Sequence, residues 1–351
     1  MTSKASHQTV EVATPVVLRR QRRLTAQAWL AGAIVVMVVV LIALGRRFGY
    51  GLPDYLQLFA DGLQAGVIYA LVALGFVAVH RVTGVINFAQ GAFVMLGPML
   101  TISLYEQNWP LPPGLRLLAA GVLATVLTAA VGMAVHRLAL HPARHASLLN
   151  RIIITVGVYV FIQGVALVAW GARPYVLPAF STLQMADRSY VVGDVVIRAQ
   201  SVWIWGTAVA TVALLALFFE RTVLGKAMRA CAVNRTAAQL MGIRVDVMAT
   251  LAFSLAAVLG AIAGIVLGPV TRPTYDMGLE LGLKGFVAAI MGGLVSFQGA
   301  VIGGLILGVL ENLWAGVTLA GFKDLFAFAV LILLLLIRPQ GFVGAKEEAE
   351  V

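Results

Sequence analysis

Long apolar runs, separated by short polar or basic connections, recur along nearly the whole chain and restrict its fold more than any other feature. A helix needs about 20 mostly apolar residues to cross the hydrocarbon of a bilayer. Windows of that kind fall near 28–44, 57–80, 84–105, 115–138, 149–171, 201–219, 247–270, 299–318 and 322–337. One more, 283–295, is short and rich in glycine; counted as a crossing it gives ten spans and puts both termini on one side, and a re-entrant course is the alternative. Hydrophobic residues make up 61% of the chain and charged ones 11%, against roughly a quarter charged in a soluble domain. The expected fold class is all-α, a polytopic transmembrane helical bundle of nine or ten spans that packs as one body.

The net charge of +10 does not point to nucleic acid, because the basic residues sit in short clusters between apolar runs, without a contiguous basic surface or interleaved aromatics. Topology explains them. With the amino terminus inside, the cytoplasmic segments collect sixteen of the 25 basic side chains, among them Arg19, Arg20, Arg22, Arg23, Arg137, Arg144, Arg151, Lys226, Arg229, Arg235 and Arg244. Arg46 and Arg47 oppose this locally, but lysine and arginine resist export and the whole-chain excess marks the cytoplasm. Both termini are then cytoplasmic. The first apolar run, Ala28 to Leu44, is longer than a signal-peptide core and has no small-x-small cleavage site after it, so it reads as a retained span. The single cysteine, Cys231, allows no intrachain disulfide, and nothing resembles a Cys/His metal cluster.

The longest outward connection, Ala172 to Gln200, contains SYVVGDVVIR, two β-branched runs around Gly193-Asp194. Glycine first in a two-residue loop suits a type II′ turn, which predicts a small external hairpin, either a lid or a docking surface. On the cytoplasmic side lies LGKAMRACAVNRTAAQLMGIRVD, Leu224 to Asp246. Asn234 is suited to cap a helix start through its side-chain oxygen, and Gly242 to close it in a left-handed turn. The two turns between, Arg235 to Met241, are too short to be stable alone in water and must lean on something. Ala237, Leu240 and Met241 supply apolar surface, with Arg235, Gln239 and the small Ala238 beside them. Two readings stand: a helix that enters a groove on another protein, or an amphipathic connector on the bilayer surface.

Polar groups inside apolar spans are costly and face a cavity or a partner helix. In VINFAQGAFVMLG, Asn87 and Gln90 stand three apart, which on a helix places both amides on one face, with Phe88, Gly84, Gly91 and Gly97 around them. They either line a pathway for a zwitterionic solute or join neighbouring helices. Tyr159 and Gln163, four apart, carry the same two readings. A second glycine-rich segment, AIMGGLVSFQGAVIGGLILG, echoes the first through Phe297-Gln298-Gly299, as an internal repeat or by chance. Gly292, Gly293, Gly303 and Gly304 read most simply as helix-packing positions. Glu311, beside Asn312 near a span end, is either a proton relay or, preferably, a solvated or capped acid.

Four stretches in order resemble the permease subunits of branched-chain amino-acid ABC importers of the LivH type: VIYALVALGFVAVHRVTGVINFAQGAFVMLG at 67–97, GKAMRACAVNRTAAQLMGIRV at 225–245, YDMGLELGLKGFVAAIMGGLVSFQGAVIGGLILGVLENL at 275–313, and LIRPQGFVG at 336–344. The resemblance covers about Leu56 to Gly344, dividing the chain into a basic tail with an extra span (1–55), the permease domain (56–344) and a short tail (345–351). It implies an ABC importer permease fold in a bacterial inner membrane. It also implies a coupling loop at Gly225, Arg229, Asn234, Arg235, Ala237, Ala238, Leu240, Met241 and Gly242. The implied partners are a second permease chain, two ATPase subunits and a periplasmic solute-binding protein. Where the family often carries histidine, this chain has Gln90, which removes a titratable group.

No G-x-x-x-x-G-K-[ST] is present, so ATP and Mg belong to the partner ATPases and this chain binds no cofactor of its own. No H-E-x-x-H or second membrane aspartate accompanies Tyr275-Asp276, so the chain is not read as an enzyme. The competing transport class is an ion-coupled secondary transporter using Glu311 or Asp61.

Overall fold

The structure, a computed structural model, describes residues 43, 45–47, 49–107, 109–180, 189–318, 320–337 and 341. The expected first span, 28–44, apart from residue 43, and the tail 345–351 lie outside the described residues, as does most of the closing LIRPQGFVG motif.

The described helices are α1 (Leu52–Thr83), α2 (Gln90–Tyr105), α3 (Pro113–Ala134), α4 (Leu148–Trp170), α5 (Ala199–Arg221), α6 (Val223–Val233), α7 (Arg235–Leu240), α8 (Val245–Thr271), α9 (Met277–Gly292), α10 (Phe297–Val317) and α11 (Lys323–Ile337). A π-helical turn, Val135–Leu140, prolongs α3, and His141 N–H donates to the His136 carbonyl at 2.7 Å. Their ends follow local chemistry. The Gly51 N–H donates to Asp54 Oδ2 at 2.8 Å at the start of α1, where Pro53 needs no donor, and Gly84 ends the helix at φ 68°. Hydroxyl oxygens of Ser147, Thr222 and Ser296 accept from Asn150, Gly225 and Gly299 N–H to open α4, α6 and α10.

Among the described residues six helices are long and apolar enough to cross a membrane: α1, α3 with its π turn, α4, α5, α8 and α10. Their burial sorts them. Within the best apolar window α1 is 78% and α8 72% buried, whereas α3, α4 and α5 are only 22–33% buried. The first two form the centre and the last three present apolar surface outward, as lipid-facing helices do. Contact between α1 and α10 is backbone to backbone: a Cβ on Gly66 would stand 2.8 Å from Leu305 Cα, and one on Gly62 2.7 Å from Val309 Cα. Gly304 and Gly308 repay this from the other side, the small-residue packing that dispersion in lipid requires. Gly292 and Gly303 likewise lie against backbone, and Gly293 ends α9 at φ 95°.

Two short helices change the expected layout. The apolar window 84–105 does not form one span: residues 84–89 are non-helical and α2 starts at Gln90. The reason is the left-handed stop at Gly84. With 16 residues each, α2 and α9 reach about 24 Å, less than the ~30 Å hydrocarbon thickness. The window 283–295 covers the end of α9, from Leu283 to Gly292, and the turn after it; the earlier part of the helix, with Glu280, escaped a hydropathy reading.

The hairpin forms as its sequence predicts. Strands β1 (Ser189–Val192) and β2 (Val195–Arg198) pair antiparallel with Val192 opposite Val195, and Gly193 takes φ 64°. Gln57 on α1 ties it down, accepting from the Val196 N–H at 2.8 Å and donating to the Val196 carbonyl at 3.2 Å.

Candidate functional site

Three places in the bundle gather chemistry. The first is the start of α2. Gln90 Nε2 donates to the carbonyl of Ala256, near the middle of α8, at 3.0 Å. Gly264 lies against Val94 and Pro98, so α2 runs beside only the second half of α8 and begins deep in the bundle. Helix α9 begins there too, because Gly278 and Gly282 lie against Gly91. The amino-terminal turns of two short helices thus overlap in the interior. Asn87 and Gln90 are fully buried, yet Asn87 Nδ2 and Gln90 Oε1 have no hydrogen-bond partner among the described residues. They do not share a helical face as the spacing suggested. Asn87 lies in the break, where its Oδ1 accepts from the Ala89 N–H at 3.2 Å. Thr155 on α4 holds the break by accepting from the Phe88 N–H at 3.1 Å, and the Phe88 ring meets Phe286 of α9 at 5.1 Å between centroids.

Tyr159 belongs to this neighbourhood: it is buried in the apolar cluster that holds Ala89 and Phe93, and its hydroxyl has no partner among the described residues. Gln163 is half-buried one turn further along α4. Phe297 and Gln298 are elsewhere. Phe297 opens α10 against Phe219 at 4.7 Å, beneath the Arg81 guanidinium, and Gln298 is exposed. Phe88 precedes its helix while Phe297 begins one, so the echo does not mark equivalent positions.

The second place is the α6–α7 pair. Asn234 Oδ1 accepts from the Ala237 N–H at 2.9 Å, and Gly242 turns left-handed at φ 82°, so both ends of α7 form as their sequence predicts. Buried Gly225, Met228 and Cys231 recur along one face of α6 and fasten it to the bundle. At Gly225 a Cβ would stand 2.6 Å from Phe219 Cα, so a larger residue would lift the helix. Burial also pushes the Cys231 thiol above its ordinary pKa, with Arg235 opposing the shift. Arg235 Nη1 donates to the Thr83 carbonyl at 3.2 Å. Ala238 corrects the sequence reading: at 4% exposure it faces the core and is no outward docking surface. The outward face is Val233, Leu240 and Met241, each more than 80% exposed, with Arg229 and Ala237 also exposed.

In the third place sequence reasoning found Glu311 but missed Lys284. Lys284, 1% exposed, meets Glu311 at 2.8 Å, Asp324 at 2.7 Å and Glu280 at 2.5 Å, joining α9, α10 and α11. Its nitrogen also lies 5.8 Å from the Tyr69 ring centroid on α1. Glu311 is fully buried, between Lys284 of α9 at 2.8 Å and Lys323 of α11 at 3.8 Å, so of the solvated or capped acid expected there it is not the solvated one. The available signal was a lysine within a glycine-rich apolar run with an acid four residues before it. Asp61, the other acid considered for ion coupling, is exposed and accepts from Gln57 Nε2.

Central glycine-packed helices, two short helices that start inside the bundle and an amphipathic appendage at one end define a multi-pass membrane protein of the transporter class. A family model described as branched-chain amino acid transport system / permease component matches residues 58–335, and the chain belongs to that family. It is 34% identical over 302 residues to the high-affinity branched-chain amino acid transport system permease protein LivH of Escherichia coli, covering 85% of this chain and 98% of that protein. The permease protein BraD of the corresponding system in Pseudomonas aeruginosa is 34% identical over 301 residues, with the same coverage. A probable branched-chain amino acid transport permease protein LivH of Methanocaldococcus jannaschii is 28% identical over 298 residues, covering 80% and 91%.

Proposed function

We propose that this chain is the membrane subunit of an ATP-driven importer of branched-chain or related amino acids in a bacterial inner membrane. It makes and breaks no covalent bond. Two ATPase subunits carry ATP and Mg, a second permease chain completes the membrane part, and an external solute-binding protein delivers substrate. The observation that carries this reading is the exposed apolar and basic face of α6–α7, on a helix pair anchored from beneath by Gly225, Met228, Cys231 and Ala238. Seating a motor on Val233, Leu240 and Met241 would pass its closure through Arg235 to the end of α1 at Thr83.

Substrate would pass beside the overlapping starts of α2 and α9. Asn87 and Gln90 each offer an unpartnered amide atom there, suited to the polar ends of an amino acid. Tyr159 and Gln163 extend this wall.

Reconstitution with the cognate ATPase and binding protein tests the coupling role. Leu240→Asp with Met241→Asp is expected to leave the purified chain folded and to cut substrate-stimulated ATP hydrolysis by roughly tenfold or more, as charge does in an apolar interface. Full stimulation in that variant would refute the assignment. Uptake that persists without any ATPase and collapses with the proton gradient would instead support ion coupling through Glu311 or Asp61.

A further inference from the structure

Beside α7 a cleft of about 410 Å³, including its solvent-open part, is lined by Arg144, Arg151, Arg235, His136, His141 and Asp246. It lies where the end of α3, the start of α4, α7 and the start of α8 come together. Three guanidinium groups face a single carboxylate, and that carboxylate is 62% exposed and 3.8 Å from His141 Nδ1, a weak partner. The arginines are not saturated. Arg235 Nη1 donates to the Thr83 carbonyl and Arg144 Nε to His145, while Arg151 Nε is buried with no partner among the described residues. Each guanidinium carries five donors, so most of this donor set has no described acceptor. His136, 7% exposed, is held by Thr250 at 2.9 Å and forms a fixed wall.

Converging guanidinium groups with free donors match the oxygens of a phosphate group, which accept paired, charge-assisted bonds. Basic pockets between membrane helices take anionic head groups by the same chemistry. The exposed Leu138 and Leu149 belong to the same elements and offer apolar surface for attached acyl chains. We propose that this cleft binds a phosphate group, supplied either as free phosphate or as the head group of an anionic phospholipid. Its occupant would brace α7 against α3, α4 and α8. Arg144, Arg151, His136 and His141 have no part in the transport reading, and the inference does not depend on it.

Binding is measured on the purified full chain without a transport assay. Inorganic phosphate is titrated onto delipidated protein in detergent, with chloride at equal ionic strength as the control, and thermal stability is followed. Native mass spectrometry compares retention of phosphatidylglycerol with that of phosphatidylcholine. Saturable stabilisation by phosphate identifies a free-anion site; selective retention of phosphatidylglycerol identifies a lipid site, and either supports the proposal. Arg144→Gln with Arg151→Gln is expected to weaken the binding roughly tenfold or more, and Arg173→Gln, in the connection beyond the far end of α4, to leave it unchanged. Neither probe binding the native chain, or the double variant binding as well as the native chain, overturns it.

Discussion

At the scale of single residues, Lys284 is the side chain with most depending on it. Its removal strands Glu311, which is fully buried, without its nearest counter-charge. Lys284→Met is expected to destabilise the chain by about 3–5 kcal/mol, the usual range for breaking a buried pair from one side. Lys284→Met combined with Glu311→Gln should recover part of that loss. Thermal unfolding in detergent checks both, and equal melting temperatures for the single and double variants would contradict the pairing. Only Glu280, one turn before Lys284, was legible as a pair; the partners 27 and 40 positions later lie beyond any local pattern. By contrast, Asn234 and Gly242 were legible, since a cap acts on atoms only three residues away.

Among the elements, α7 separates what sequence reveals from what it hides. Its ends are written in capping chemistry, but six residues give too little periodicity to say which face turns inward. Ala238 is therefore reassigned from contact with a partner to contact with the bundle. Ala238→Glu should detach α7, seen as faster proteolysis within 234–242 in the isolated chain, before any partner is added. Unchanged proteolysis would restore the docking role of that position. Asn234→Ala should cost about 1 kcal/mol through the lost cap, read as faster hydrogen exchange at the Ala237 amide with the rest of the chain unaffected. The hairpin was legible because Gly193 dictates its turn. The break at 84–89 was not, since its composition is as apolar as the helices beside it and only the contacts of Thr155 and Phe88 reveal its course.

For the molecule as a whole, hydropathy announced a helical bundle, and six sufficiently long apolar helices are present among the described residues. Orientation is the property that the positive charges predict and labelling can test. Cys231 is the single native cysteine, buried and with a raised thiol pKa, so at neutral pH it is mostly protonated and reacts slowly with maleimides. A Cys231→Ser background carrying Met241→Cys should be modified only by reagents that enter the cell. Asp194→Cys at the hairpin tip should be modified by impermeant ones. The reverse pattern would invert the topology.

The ion cluster also has a bearing on how the protein is made. As the ribosome delivers α9, Lys284 has only one of its three carboxylates, Glu280 one turn earlier on the same helix, to accompany it into lipid. Its two other carboxylates arrive later, with α10 and then α11. A chain ending after α9 is therefore expected to insert less completely than one that also carries α10 and α11, which glycosylation mapping of the two lengths checks.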